Sequence, residues 1–453
     1  MTLVPITYNI NYNGVDGATF ATANPTTYTI ESAAITLNNP SKEGYVFAGW
    51  FSDAEFNTPA TTTIAKGSTG DKTFWAKWKK SLENGDITIA AIADQEWTGS
   101  EIKPTALVVV KDGETVITDQ CDISFSNNTN VGTATVNITA KETSTGYAGT
   151  KNDVTFKIVP KPVTIDGVSG GPLSFTQDQN GYTAIFDGTS ETDLNITATV
   201  AVKDVKINRE FHSGQASTVM LPFDYTCNNG EGGKFYAFVG VAWNDSENKW
   251  EATMKEPGNT AVTSLTANTP YLFMPSGTEM TFPNIPNMTD GTVTLKPASE
   301  GGNCSGTSGD ANWEFHGTYT KKTWTSSDSD KDYGFAATSG MATDGTTTIT
   351  AGQFVRFAPG AWMKPMRCYL SYIGTSAPAP ARGVTRAAGD GLPQSITVRL
   401  VSRGGETTAI GTLDTQTGEL SFDGWYDMNG RKLDGKPTKK GLYINNRHKV
   451  VIK

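Results

Sequence analysis

The sequence lacks the patterns that mark long helices and membrane spans. None of its 453 residues lie in a long segment with apolar residues at helical spacing, and no apolar run reaches the ~18 residues of a spanning helix. Only 18% of the residues are charged, and Lys+Arg (37) are fewer than Asp+Glu (46), which gives a net charge of -9. Because phosphate binding needs a basic surface, we expect no nucleic-acid partner. Because no apolar run is long enough, we expect no membrane-spanning segment.

Cysteine and histidine are scarce, and neither is clustered. The four cysteines form no CxxC motif, which excludes the usual zinc and thioredoxin spacings. Their disulfide state is open, because they can pair in several ways and buried free thiols are the alternative. None of the three histidines lies in an HExxH motif. These residues are Cys121, Cys227, Cys304, Cys368, His212, His316 and His448.

Residues that form strands and turns are abundant. The chain has 47 glycines, many Thr, Ser and Asn residues, and short β-branched and aromatic runs between turn signals. Its length alone suggests about three domains. We therefore predict an all-β chain of several domains in series. The first residues have neither the basic region nor the apolar core of a signal peptide.

Residues 1–80 form the first predicted domain. The runs NPSKEGYVFAGW at 39–50, TIAKGSTGD at 63–71 and FWAKW at 74–78 resemble the Listeria–Bacteroides repeat, also seen as the internalin B-type repeat. The resemblance implies a small β-grasp-like fold and a place on a surface protein. Trp50 and Trp78 are interpreted as core residues, since aromatic side chains dominate small cores.

Residues 82–160 form the second predicted domain. Its short strands, separated by turns at regular spacing, favour a β-sandwich. WTGS at 97–100, SNNTNVGTA at 126–134 and GYAGT at 146–150 resemble a bacterial Ig-like repeat, which implies a stalk segment. Pro160 and Pro162 mark the boundary, because prolines stiffen a linker and cannot donate ladder hydrogen bonds.

Residues 163–373 contain enough apolar sequence for a larger β-sandwich of unknown role. REF at 209–211, STVMLPF at 217–223, NTPYL at 268–272 and RCYL at 367–370 resemble an uncharacterised domain of modular surface proteins from gut Bacteroidota. That resemblance implies location and architecture only. A linker rich in Pro, Ala and Gly follows at 374–394.

Residues 395–453 form a small C-terminal β domain with a basic end. YDMNGRK at 426–432 predicts a strand entering an Asn-Gly turn, and KGLYI at 440–444 and KVVIK at 449–453 alternate as further strands. These motifs resemble the sorting domain of the type IX secretion system of Bacteroidota, which implies export. The alternative is a plain strand cap that only closes a sheet.

Three short motifs are candidate sites, and each also has an ordinary structural interpretation. Gly167–Gly171 fits G-x-S-x-G, but Pro172 and a strand-like run follow where a nucleophile elbow needs a helix. Asp328, Asp330 and Asp332 place carboxylates at alternate positions as in half of a calcium loop, although a solvated hairpin tip is the ordinary interpretation. Trp243 and Trp250 flank a turn and are candidates for stacking on a sugar, or simply a cross-strand pair.

The sequence predicts a non-enzymatic modular protein without a cofactor, located outside the cell or on the outer-membrane surface. It is expected to be a monomeric adhesin or spacer that holds a binding surface towards a host or matrix protein or a glycan. The alternative is a carbohydrate-binding protein whose sugar module is residues 163–373. An unrecognised hydrolase would need two carboxylates at catalytic separation in a cleft.

Overall fold

The computed structural model describes residues 4–168, 170–212, 214–228, 233–245, 247–258, 262–277, 280–282, 292–298, 302–325, 331–341, 348–375 and 392–403, and then 407–409, 412–413, 420–421, 425–426, 432–433, 437–445 and 448–452. The chain divides into two compact units, unit 1 (Met1–Lys161) and unit 2 (Pro162–Lys453). The prediction of an all-β fold is confirmed: within the described residues the helices are two three-residue 3-10 turns, at Thr105–Leu107 and Thr118–Gln120. No helix of the described residues is long and apolar enough to cross a membrane.

The described part of unit 1 contains fourteen strands. They are β1 Thr7–Asn13, β2 Thr27–Thr29, β3 Ile35–Thr36, β4 Tyr45–Phe51, β5 Thr63–Ile64, β6 Lys72–Ser81, β7 Ile87–Ile89, β8 Gln95–Glu96, β9 Val110–Asp112, β10 Thr115–Val116, β11 Cys121–Ser126, β12 Gly132–Ala140, β13 Tyr147–Ala148 and β14 Thr150–Val159.

The first half of unit 1 is built around β6. This strand pairs in parallel with β1, antiparallel with β4 and, at its end, in parallel with β13. Trp50 is 1% exposed and donates from its indole nitrogen to the Asn38 carbonyl at 3.2 Å. Trp78 is partly buried and donates to the Gly14 carbonyl at 2.8 Å. Both rings therefore belong to the core, as their positions in the repeat predict.

The second half of unit 1 is a two-sheet sandwich. One sheet has the order β10-β9-β7 and the other the order β11-β12-β14-β8. Alternation in β12 buries Ala134, Val136 and Ile138 and leaves the residues between them more accessible. These side chains share one core with Val110 of the other sheet. The sandwich predicted for this part is therefore what the two sheets form.

Among the described residues, thirty strands belong to unit 2, the first of which begins at the last residue of unit 1. They are β15 Lys161–Val163, β16 Leu173–Asp178, β17 Gly181–Asp187, β18 Val200–Val202, β19 Asp204–Asn208, β20 Ser217–Met220, β21 Tyr225–Asn228, β22 Gly233–Asn244, β23 Lys249–Lys255, β24 Val262–Leu265, β25 Pro270–Pro275, β26 Met280–Phe282, β27 Val293–Leu295, β28 Asn303–Ser305, β29 Trp313–Thr318, β30 Lys322–Thr323, β31 Asp332–Ala336, β32 Gly340–Met341, β33 Thr348–Ile349, β34 Gln353–Arg356, β35 Trp362–Met363, β36 Arg367–Tyr372, β37 Ser395–Val401, β38 Thr407–Ala409, β39 Thr412–Leu413, β40 Leu420–Ser421, β41 Trp425–Tyr426, β42 Lys432–Leu433, β43 Gly441–Asn445 and β44 His448–Ile452.

The main sheet of unit 2 has eleven strands, in the order β20-β25-β22-β23-β37-β34-β31-β36-β29-β28 with β38 on β37. It curls so that its first strand lies near strands from its other end: the Cys368 amide of β36 donates to the Thr218 hydroxyl of β20 at 3.0 Å. Met220 of β20 and Phe315 of β29 are fully buried in the same core. A second sheet, β15-β16-β17-β19-β26, completes the unit.

The C-terminal region differs from its predicted separation. The sequence predicts that Ser395–Val401 belongs to the terminal domain, whereas in the structure this strand lies inside the main sheet, parallel to β23 and antiparallel to β34. The following strands form a sheet of order β42-β41-β43-β44. The strands predicted in the YDMNGRK, KGLYI and KVVIK motifs fall within β41 to β44, while the Asn-Gly turn at 429–430 lies outside the described residues.

Candidate functional site

A cavity of about 310 Å³ opens in unit 2 between the start of β20 and the start of β36. This volume is at the small end of ligand pockets, which run from about 300 to about 1,000 Å³. Its lining combines cationic, hydroxyl and aromatic groups. The lining residues are Arg209, Ser217, Thr218, Gly334, Phe335, Ala337, Phe357, Trp362, Met363, Lys364, Arg367 and Cys368.

Arg209 is held against the cavity wall by β20. It follows β19, and its guanidinium donates from Nη1 to the Thr218 carbonyl at 3.0 Å and from Nη2 to the Ser217 hydroxyl at 2.9 Å. The Phe211 ring lies 4.8 Å from the guanidinium carbon, which adds a cation–π contact. These contacts fix the direction of the guanidinium and leave its charge without a carboxylate partner among the described residues.

Arg367 reaches the same cavity from the first position of β36. Its Nη2 donates to the Gly188 carbonyl at 3.0 Å, just beyond the end of β17. Within the part of the chain that the structure describes, no carboxylate makes an ion pair with this side chain. Two arginines from distant parts of the chain therefore share one cavity, each tied to the protein through neutral acceptors.

The protonation energetics reflect this charge imbalance. Burial, and then the charge of Arg367, lowers the pKa of Arg209 well below its usual value. Burial likewise lowers the pKa of Arg367 to about 10. Cys368 is fully buried, and burial raises the pKa of its thiol, so it stays neutral at pH 7 and supplies no counter-charge. The cavity wall is therefore cationic on a chain that is acidic overall.

The rim of the cavity is more solvent-exposed than its floor. Trp362 of β35 is 48% exposed, and the Lys321 ammonium lies 4.9 Å from its ring centre. Lys321 also pairs with Glu191 at 2.7 Å. Lys364 donates to the Thr189 carbonyl at 2.7 Å. At the rim, Lys321 thus has a carboxylate partner, which neither arginine inside has among the described residues.

The predicted tryptophan site is a cross-strand pair. Trp243 of β22 lies directly opposite Trp250 of β23, with ring centres 5.7 Å apart and planes at 73°. Trp250 is 9% exposed and Trp243 is partly buried. Neither ring lines the cavity. Of the other described tryptophans in the unit, Trp313 and Trp324 are buried, and Trp425 is partly buried and does not line the cavity. Among the described residues, Trp362 is therefore the tryptophan that combines exposure with the cavity.

The predicted calcium loop lies only partly within the described residues. Asp328 and Asp330 are outside them. Asp332 is not in a solvated tip: it begins β31, is 8% exposed, and accepts a hydrogen bond from the Trp324 indole nitrogen at 2.7 Å. Among the described residues, no group of three or more His, Cys, Asp or Glu side chains is placed to hold a metal ion.

The rejected nucleophile candidate and the histidines do not converge among the described residues. Ser169 lies outside them, and β16 rather than a helix follows Gly171. His212 lies 3.9 Å from the exposed Glu210, whereas His316 stacks on Tyr369 with ring centres 5.2 Å apart. The side chain of His448 is not described.

Three of the cysteines are free thiols. Cys121 and Cys368 are buried, and Cys304 is partly buried. The side chain of Cys227 is not described.

Sequence reasoning did not single out Arg209 or Arg367 as site residues. Both stand in motifs quoted for a family resemblance, REF and RCYL, but nothing in the linear order places them together. The signal that was available is chemical and covers one of the two: Arg367 lies between Met366 and Cys368 in a chain with only 18% charged residues, whereas Arg209 lies between Asn208 and Glu210.

Comparison with known proteins identifies one part of the chain. No curated protein and no solved structure matches the chain. Residues 8–77 match the Listeria-Bacteroides repeat domain, which confirms the resemblance predicted for the first domain. This repeat, followed by further β domains, favours a modular protein of the cell surface.

Proposed function

We propose that this protein is a non-enzymatic adhesin or spacer, exposed outside the cell or on the outer-membrane surface, whose β domains hold a binding surface away from the cell. The observation that carries the proposal is the repeat match at 8–77. The partner is a host or matrix protein or a glycan, and the protein acts as a monomer without a cofactor.

The construction of unit 1 supports a spacer role. The first two predicted domains share a strand pairing, since β13 continues the sheet beside β6. Lys80 adds ion pairs across the same junction, to Asp86 at 2.7 Å and to Asp112 at 2.6 Å. Domains joined only by a linker move freely, whereas hydrogen-bonded and ion-paired domains keep their relative orientation. A spacer whose two domains keep their relative orientation fixes its direction as well as its length.

Protease treatment of intact cells tests the proposed location. An antibody against unit 1 is expected to label whole cells, and external protease is expected to remove the signal without lysis. Protection of the protein until the cells are lysed would contradict a surface role. Because the protein is proposed to bind without reaction, a bound ligand is expected to be recovered chemically unchanged after prolonged incubation.

The second candidate function is carbohydrate binding by residues 163–373. It is favoured by Trp362, whose ring is 48% exposed at the cavity, because aromatic rings pack on the apolar faces of sugars. A glycan array probed with the full chain tests it. Trp362→Ala is expected to lose the signal, and Trp243→Ala, which changes a ring outside the cavity, is expected to keep it. Silence of the unaltered protein on the array would leave only the spacer role.

A further inference from the structure

Among the residues that the structure describes, no carboxylate compensates the charge of the two arginines in the cavity. Charged groups removed from water are normally paired, because isolated burial of a charge is costly. Arg209 and Arg367 contact only carbonyl oxygens, a hydroxyl and an aromatic ring among the described residues. The neighbouring acidic residue Glu210 does not compensate them, since it is exposed and lies beside His212. An anion in the cavity would supply the missing charge.

The guanidinium groups also have donors to spare. Each has five N–H groups. Among the described residues, Arg209 uses two in its hydrogen bonds to Thr218 and Ser217, which leaves three, and Arg367 uses one with Gly188, which leaves four. Planar guanidinium forks match the paired oxygens of carboxylates and sulfates. Because their protein contacts already hold both side chains, little additional ordering is needed on binding.

The remaining lining selects for more than a free ion. A cavity of about 310 Å³ is larger than a single oxyanion needs. Trp362, Phe335 and Phe357 supply apolar and aromatic surface in the same cavity. A sugar ring that bears an acidic group combines an anion with apolar C–H faces, which is the combination that this lining offers.

We propose that the cavity binds an acidic saccharide, with Arg209 and Arg367 holding its carboxylate or sulfate group and Trp362 contacting the sugar ring. This inference rests on the proposed binding role of unit 2 and names the ligand class. It does not depend on where the protein is located, so the surface test and the binding test fail independently.

Calorimetric titration of the full chain with glucuronate, glucose 6-sulfate, glucose and inorganic sulfate tests the proposal. Both acidic sugars are expected to bind about tenfold or more tightly than glucose, the size of effect that charge-assisted hydrogen bonds provide. They are also expected to bind more tightly than sulfate. Added salt is expected to weaken the acidic sugars and not glucose. This comparison uses unaltered protein and stays decisive even if an arginine variant does not fold.

Arg367→Gln provides the residue-level test, with Arg403→Gln as the matched control. Arg403 lies in the same unit, donates to the Pro257 carbonyl at 2.9 Å and lies 3.9 Å from a Glu256 carboxylate, outside the cavity. We expect Arg367→Gln to weaken glucuronate binding about tenfold or more and Arg403→Gln to change it less than about twofold. Trp362→Ala is expected to weaken both acidic sugars and leave sulfate unaffected.

Several results would overturn the proposal. Equal binding of glucose and glucuronate would remove the anionic requirement, and no binding of either acidic sugar would remove the ligand class. Sulfate binding as tightly as glucose 6-sulfate would make the cavity a site for free oxyanions. Equal effects of the two arginine substitutions would assign the loss to a general change in charge.

Discussion

Replacing Trp313 by alanine is expected to destabilise unit 2 by about 2 kcal/mol. Trp313 is fully buried in β29, with its ring 5.5 Å from that of Tyr333 and 5.0 Å from that of Tyr372. Truncating a buried tryptophan costs about 3–5 kcal/mol through lost transfer energy and the cavity left behind. Its indole nitrogen finds no acceptor in the described residues, and alanine relieves the ~1–3 kcal/mol that such a buried donor costs. The net expectation lies below the usual range for this reason.

Trp362→Ala is the matched control, because it makes the same chemical change in the same unit at a ring that is 48% exposed. We expect it to change stability by less than about 0.5 kcal/mol. Hydrogen exchange measured by mass spectrometry, on peptides that cover β29 and β36, reports the stability of the affected sheet in the intact chain. Similar exchange in the two variants would refute the conclusion that the buried rings hold unit 2 together and that the exposed ring does not.

Three further expectations concern ion pairs, pH and metal. Lys80→Met is expected to lower the urea midpoint of unit 1 by the equivalent of about 1 kcal/mol, while Lys72→Met, on the same strand but without an ion pair among the described residues, has little effect. Burial lowers the pKa of His316 below its usual 6.5, so the unfolded chain binds the proton more readily than the folded chain does. Unit 2 is therefore expected to lose stability as the pH falls through 6.5 and below. Thermal melts at several pH values are expected to show a flatter pH dependence for His316→Gln. Because the Asp332 carboxylate already accepts a hydrogen bond from the Trp324 indole, calcium is expected to leave the melting temperature unchanged. If calcium raised the melting temperature of the native chain and Asp332→Asn abolished that rise, Asp332 would be a calcium ligand.

Local features of the fold were predictable because strand periodicity is a local property. Phe74 and Ala76 are buried and Trp78 is partly buried, which is the face that alternation in FWAKW predicts. The turn-punctuated runs of 82–160 likewise predict a sandwich, since each short strand has one apolar face to cover. The family resemblance of residues 1–80 added what composition alone does not supply.

Strand partners over long distances were not predictable. Ser395–Val401 looks like the start of a new domain because a Pro- and Ala-rich stretch precedes it. Its actual neighbours, β23 and β34, are chosen by backbone hydrogen bonds and core packing, and neither leaves a mark in the linear sequence. A linker-like composition indicates where the chain leaves a domain, but it does not indicate whether the following strand pairs with that same domain.

The candidate site escaped prediction for a similar reason. Arg209 and Arg367 meet only because β20 and β36 face each other across the curled sheet, as the Thr218–Cys368 hydrogen bond shows. Asp332 was misread in the opposite direction, because its acidic neighbours suggested an exposed tip while the strand buries it against Trp324. At both places, the charged groups that are close in the sequence differ from those that are close in the folded structure.

The position of β37 makes the tail of this protein a structural donor to unit 2. A polypeptide that stops before Ser395 would expose the free edges of β23 and β34, which invites edge-to-edge self-association. Conversely, a chain nicked between residues 376 and 391 would keep its two fragments together through the shared ladder until denaturant separates them. A synthetic peptide of 392–403 then becomes a means to restore a truncated unit 2 by complementation in trans.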